Sequence, residues 1–136
     1  MRSADPRRPP RPHLPGTADE IRARVPVVRE SWRYIDQAVL RSGPADPRIK
    51  ELCFRFLAGE LHEAELDGSG GRERAALDWA DAIVNDSSRA DDSVWARLHA
   101  SFTEEELVDL GCAIGFELGQ QHWRRTIGLP ARAHQP

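Results

Sequence analysis

Between Thr103 and Arg125 the chain reads as one long helix, and it demands a fold in which other helices gather round it. Thr103 stands three residues ahead of Glu106, the spacing at which hydroxyl and carboxylate each satisfy an orphan backbone donor at a helix start. Leu107, Leu110, Ile114 and Leu118 then recur at three-and-four intervals on one face, and Val108, Cys112 and Phe116 are expected to widen it. So broad an apolar arc predicts several packing partners. Carried past Leu118, the face reaches Gln121 and His122 with Glu117 at its margin, so buried polar groups are expected at the C-terminal end.

The rest of the chain supplies those partners. Thr17 with Glu20 predicts a short capped helix that Pro26 breaks or kinks, and Val28, Trp32, Ile35 and Val39 follow on one face until Ser42-Gly43-Pro44 stops them. Asp46-Pro47 opens the next helix as N-cap and first helical residue, burying Ile49, Leu52, Cys53, Phe56 and Leu57 up to Gly59. A short helical turn and the loop Gly68-Ser-Gly-Gly precede a helix from about Arg72 that buries Ala76, Trp79, Ala80 and Ile83. Asp92 or Ser93 caps a brief helix carrying Val94, Trp95 and Leu98. No stretch alternates with strand period, so the expected class is all-α, a helical bundle of about five to six helices.

Three segments follow from this punctuation. Residues 1–16 hold half of the ten prolines, interleaved with arginine, and predict a disordered or polyproline arm. Residues 17–130 form the helical domain, and 131–136 a frayed tail after Gly128 and Pro130. Arg2, Arg7, Arg8 and Arg11 make the arm basic, which leaves the remainder more acidic than the net charge of −3 and argues against nucleic acid as its partner. No apolar run has bilayer length and the first residues lack the apolar core of a secretion signal, so a cytoplasmic protein with no membrane partner is expected. Cys53 and Cys112 read as small buried hydrophobes of a reducing compartment.

The order of Asp46-Pro-Arg-Ile-Lys-Glu-Leu, Glu73-Arg-Ala-Ala-Leu-Asp-Trp-Ala-Asp-Ala-Ile-Val, Val94-Trp-Ala-Arg-Leu, Phe102-Thr-Glu-Glu-Glu-Leu-Val-Asp-Leu with Ile114-Gly-Phe, and Leu129-Pro130 resembles the carboxymuconolactone decarboxylase and alkylhydroperoxidase D-like (AhpD-like) family over roughly residues 46 to 130. The resemblance implies an AhpD-like bundle, a homo-oligomer and, for its decarboxylase members, chemistry without metal or organic cofactor. Peroxidase-type members carry a Cys-x-x-Cys pair after the segment that ends here in Glu51-Leu52. No such pair is present, so thiol peroxidase activity is the least expected outcome.

Cofactor-free chemistry needs a poised acid or base and donors for carboxylates. Glu117, His122 and Glu51 are the candidate catalytic groups: the histidine because it titrates near neutrality, Glu117 because desolvation would raise its pKa, and Glu51 because it matches a family site residue. Gln121, Arg125 and His62 are the candidate substrate-binding groups. The five histidines are scattered and suggest no metal site. Two function classes stay open: a lyase or isomerase acting on a small carboxylated or cyclic compound, and a catalytically empty oligomeric binding module. Trp123 is the tryptophan most expected at a subunit contact.

Overall fold

The computed structural model describes residues 13–133, and among these residues the fold is all-α. Seven helices follow one another: α1 (Ala18–Arg22), α2 (Pro26–Ile35), α3 (Pro47–Leu57), α4 (Glu63–Asp67), α5 (Gly71–Asn85), α6 (Asp92–Ser101) and α7 (Glu104–Thr126). A π-helical turn, Asp36–Leu40, extends α2, and a 3-10 turn, Ser87–Arg89, follows α5. α1 is the short capped helix expected from Thr17 and Glu20, and the count exceeds the predicted five or six because the expected short turn is the five-residue helix α4.

Local chemistry sets most of these boundaries. At the head of α7, Glu106 N donates to Thr103 Oγ1 over 3.2 Å and Thr103 N to Glu106 Oε1 over 2.9 Å, closing the capping box. Asp46 accepts from Arg48 N at 2.9 Å with Pro47 in the first helical position, where its missing donor is harmless. Pro26 likewise begins α2, so the predicted break falls between α1 and α2. Asp91, one residue ahead of the expected cap, accepts from Val94 N at the head of α6. Gly43 adopts φ of 101°, the left-handed conformation a side chain resists, and lets the chain leave the π turn.

α3, α5, α6 and α7 enclose the main core of Ile49, Cys53, Ala76, Ala80, Leu98, Leu110 and Ile114, with Leu107 and Phe102 at one end. A smaller cluster joins Leu40, Phe54 and Ala113, with Trp32, Ile35 and Val39 partly buried against it. Phe54, absent from the predicted face of α3, is buried here because the π turn lies over it. The expected width of the α7 face is corrected: Val108 (68% exposed), Phe116 (43% exposed) and Cys112 lie in the open. α3, α5 and the π turn pack against α7, and its face through Val108, Gly115 and Gly119 is exposed. Val28 is exposed too, and no residue of α2 is fully buried.

A buried lysine ties the two clusters together. Lys50, fully buried on α3, donates from Nζ to the carbonyls of Val39 (2.6 Å) and Ser42 (2.5 Å) and pairs with Asp109 of α7 at 2.7 Å. Asp109 accepts a second bond from Ala45 N at 2.9 Å. One cation thus satisfies the carbonyls left free by the π turn and pins that turn to α7, which makes burying the charge tolerable.

The folded part extends at both ends beyond its expected limits. His13 N donates to Ile127 O at 2.7 Å, and Arg24 to Pro15 O at 2.6 Å. Arg132 reaches back to Glu51 at 2.8 Å and to Glu60 at 3.5 Å, so residues 131–133 are tied down. The remainder of the predicted arm, 1–12, and of the tail, 134–136, lies outside the described residues.

Candidate functional site

A cavity of about 1230 Å³ opens where α1, α2 with its π turn, α3, α7 and the segment after α7 converge. Its charged lining mixes arginines, Arg22, Arg124 and Arg132 among them, with the carboxylates of Asp19, Asp36, Glu51 and Glu117, beside Trp32. α7 contributes Glu117, Gln120 and Arg124, the three-and-four spacing that places residues on one helical face.

Arg22 ends α1 with 7% exposure, its guanidinium 4.5 Å from the ring centre of Trp32 and 4.9 Å from that of Trp123. It donates to Gln120 Oε1, and no carboxylate among the described residues lies within ion-pair distance. Burial, and then the nearby Arg124, push its pKa down to about 10. Arg124 is lowered too, by burial, with Glu117 acting in the opposite direction. Two guanidiniums drawn out of water, with the charge of Arg124 disfavouring that of Arg22 and Asp19, Asp36 and Glu117 offsetting it in part, make a place that can hold an anion. Trp123, expected at a subunit contact, forms one wall of the Arg22 sandwich.

Glu117 is half-buried at the same cavity. Burial raises its carboxyl above the usual range, against the lowering influence of a hydrogen bond from Gln121 and of Arg132. Gln121 is fully buried behind it, donating from Nε2 to Phe54 O at 3.0 Å and to Glu117 Oε1 at 3.4 Å, while its Oε1 has no partner among the described residues.

Two of the three expected catalytic residues therefore meet. Glu117 and Glu51 line the cavity, Glu51 exposed and held by Arg132. His122 does not join them: it is exposed and lies off the cavity. Among the expected binding groups, Gln121 supports Glu117 from behind. Arg125 is exposed and donates to Leu57 O at 3.4 Å. His62 is an exposed N-cap of α4, its backbone N donating to Glu65 at 3.0 Å. The cavity face of α7 runs through Glu117, Gln120 and Arg124, about one residue's rotation from the face expected to carry His122 and Arg125. Arg22, Trp32 and Arg132 went unidentified because their nearness to α7 comes from tertiary packing and leaves no spacing signal.

Among the described residues no group of three or more His, Cys, Asp or Glu is arranged to hold a metal ion, and no helix is long and apolar enough to cross a membrane. Fold and site together define an all-α protein with an arginine-rich cavity around a half-buried glutamate. No family model, curated protein or solved structure matches the chain.

Proposed function

We propose that the cavity binds a small carboxylated compound and that Glu117 exchanges a proton with it, in a cofactor-independent reaction of the lyase or isomerase type. The observation that carries this reading is a carboxyl group with a raised pKa facing the same cavity as two guanidiniums, Arg22 and Arg124, that form no ion pair among the described residues. A neutral Glu117 can donate a proton at a pH where an ordinary glutamate is ionised, and Arg22 and Arg124 can hold the substrate carboxylate and stabilise negative charge that develops beside it. Binding an anion there raises the glutamate's proton affinity further, since like charges disfavour ionisation. The cavity supports this reading without kinship to the decarboxylase-like family, which remains a proposal resting on the order of the sequence motifs.

A binding module without catalysis is the second reading. What favours it is that Glu51 is engaged by Arg132 and His122 lies outside, so that of the three expected catalytic groups Glu117 alone is half-buried at the cavity. The discriminating experiment uses benzoate, maleate and small carboxylated lactones as probes, with calorimetric binding and product analysis side by side. The enzyme reading expects Arg22→Met to weaken binding about tenfold or more, consistent with loss of a charge-assisted contact. It expects Glu117→Gln to retain binding while abolishing turnover. Binding without turnover of any probe by the wild type supports the module, and no binding by any probe removes both.

A further inference from the structure

Gln121 is fully buried and forms no part of the cavity wall, one helical turn beyond Glu117 on α7. Its amide has a fixed sense. Nε2 donates over 3.0 Å to the carbonyl oxygen of Phe54, a group that can only accept. Turning the amide over would set oxygen against oxygen there, so the nitrogen stays on this side and its second proton is given to Glu117 Oε1 at 3.4 Å. The core has no need of this amide. Phe54 O already accepts the helical bond from Ala58 N at 3.1 Å, and Gln121 Oε1 is left buried with no partner among the described residues. A methionine would fill the same space without that orphaned oxygen. What an apolar side chain could not supply is the donor to Glu117.

We propose that Gln121 is a positioning residue for the proton exchange at Glu117: able only to donate, it holds Oε1 as the accepting oxygen and keeps the exchangeable proton on Oε2. This rests on the reading of Glu117 as the proton-exchanging group. In a neutral carboxyl one oxygen carries the proton and the other is free to accept, and Gln121 decides which is which. Of the two oxygens only Oε1 is hydrogen-bonded among the described residues, and its partner sits on the buried side. The protonated oxygen is therefore the one left for the cavity. The same bond favours the ionised carboxylate, so Gln121 also restrains the rise that burial causes.

Infrared difference spectroscopy of the full chain across the titration of Glu117 reads the accepting oxygen, with the band assigned by its loss in Glu117→Gln. Accepting a hydrogen bond weakens a C=O bond, so the neutral carboxyl is expected to absorb below a free carboxylic acid and to move up in Gln121→Met. The titration should shift to higher pH in that variant, while Arg22, Arg124, Arg132, Asp36 and Glu51, whose charges also act with Glu117, are common to both proteins. On a substrate that is turned over, kcat should fall about tenfold or more with KM unchanged. A merely structural glutamine would lower the melting temperature and move neither band nor titration. That result in a folded variant overturns the proposal. If Gln121→Met does not fold, the Nε2 protons of the wild type decide by NMR: one following the titration of Glu117 supports the proposal, and indifference of both overturns it. A band that responds to Gln121 in a protein that binds no carboxylate supports the placement of the proton and overturns the cavity reading alone.

Discussion

Lys50 Nζ lies 2.7 Å from Asp109 Oδ2, and this one pair joins the π turn after α2, the head of α3 and the first half of α7. Removing one partner of a buried pair leaves the other charge without compensation. Lys50→Met is therefore expected to cost about 3 kcal/mol or more, because Asp109 and two carbonyls lose their donor together. Urea unfolding measures it. A loss comparable to that of an exposed-surface substitution would show that the pair does not hold these elements together.

Gly43 lies directly against the same carboxylate. A Cβ there would stand 2.7 Å from Asp109 Oδ2, in a residue whose φ of 101° already resists a side chain. Gly59 shares the conformational demand, with φ of 74°, but has open space around it. Both alanine variants are expected to lose about 1–2 kcal/mol from the backbone alone, and Gly43→Ala to lose more because Asp109 must shift. Equal losses in thermal melts would mean that the contact carries no energy.

The punctuation of this fold was legible in the sequence because caps are local chemistry. Thr103 with Glu106, Asp46 with Pro47 and Gly43 before Pro44 act within a few residues of themselves. Lys50 was not legible, since a lysine on an amphipathic helix ordinarily keeps its ammonium in water. Its partners lie on an earlier turn and on α7, where no periodicity connects them. For the same reason the site was half seen: extrapolating the stripe of α7 found Glu117 and Gln121 but continued to His122 and Arg125, whereas α1 and the C-terminal segment close over the side bearing Gln120 and Arg124.

The two cysteines are expected to behave differently from their shared appearance in the sequence. Burial pushes the Cys53 thiol up to about 12, and the thiolate is the reactive form. Cys53 should resist an aromatic disulfide reagent in the native protein and react fully once urea unfolds it. Rapid labelling of Cys53 without unfolding would show that the α3, α5 and α7 core opens easily.

Glu117 gives a pH signature whose sign is fixed. The folded chain holds this proton more tightly than the unfolded chain, whose glutamate titrates near the ordinary 4.5. Folding is therefore favoured fully below that value, and the contribution is lost as pH rises through the folded-state pKa. Asp19, Glu65 and Asp86, held low chiefly by hydrogen bonds to their ionised forms, act in the opposite sense and are common to wild type and variant. The difference in stability between Glu117→Gln and wild type should accordingly move in the variant's favour between pH 4.5 and neutrality. A difference that is flat over this range would mean Glu117 is not desolvated.

The most direct measurement is the titration of the Glu117 side-chain carboxyl carbon by NMR, assigned with Glu117→Gln and repeated with saturating benzoate. A pKa above the ordinary 4.5 that rises again with benzoate, and loses that second rise in Arg22→Met, is the predicted result. A Glu117 that titrates at or below its ordinary value, with no response to benzoate or to any other carboxylate probe, would contradict the assignment of this cavity as an anion-binding, proton-transferring site.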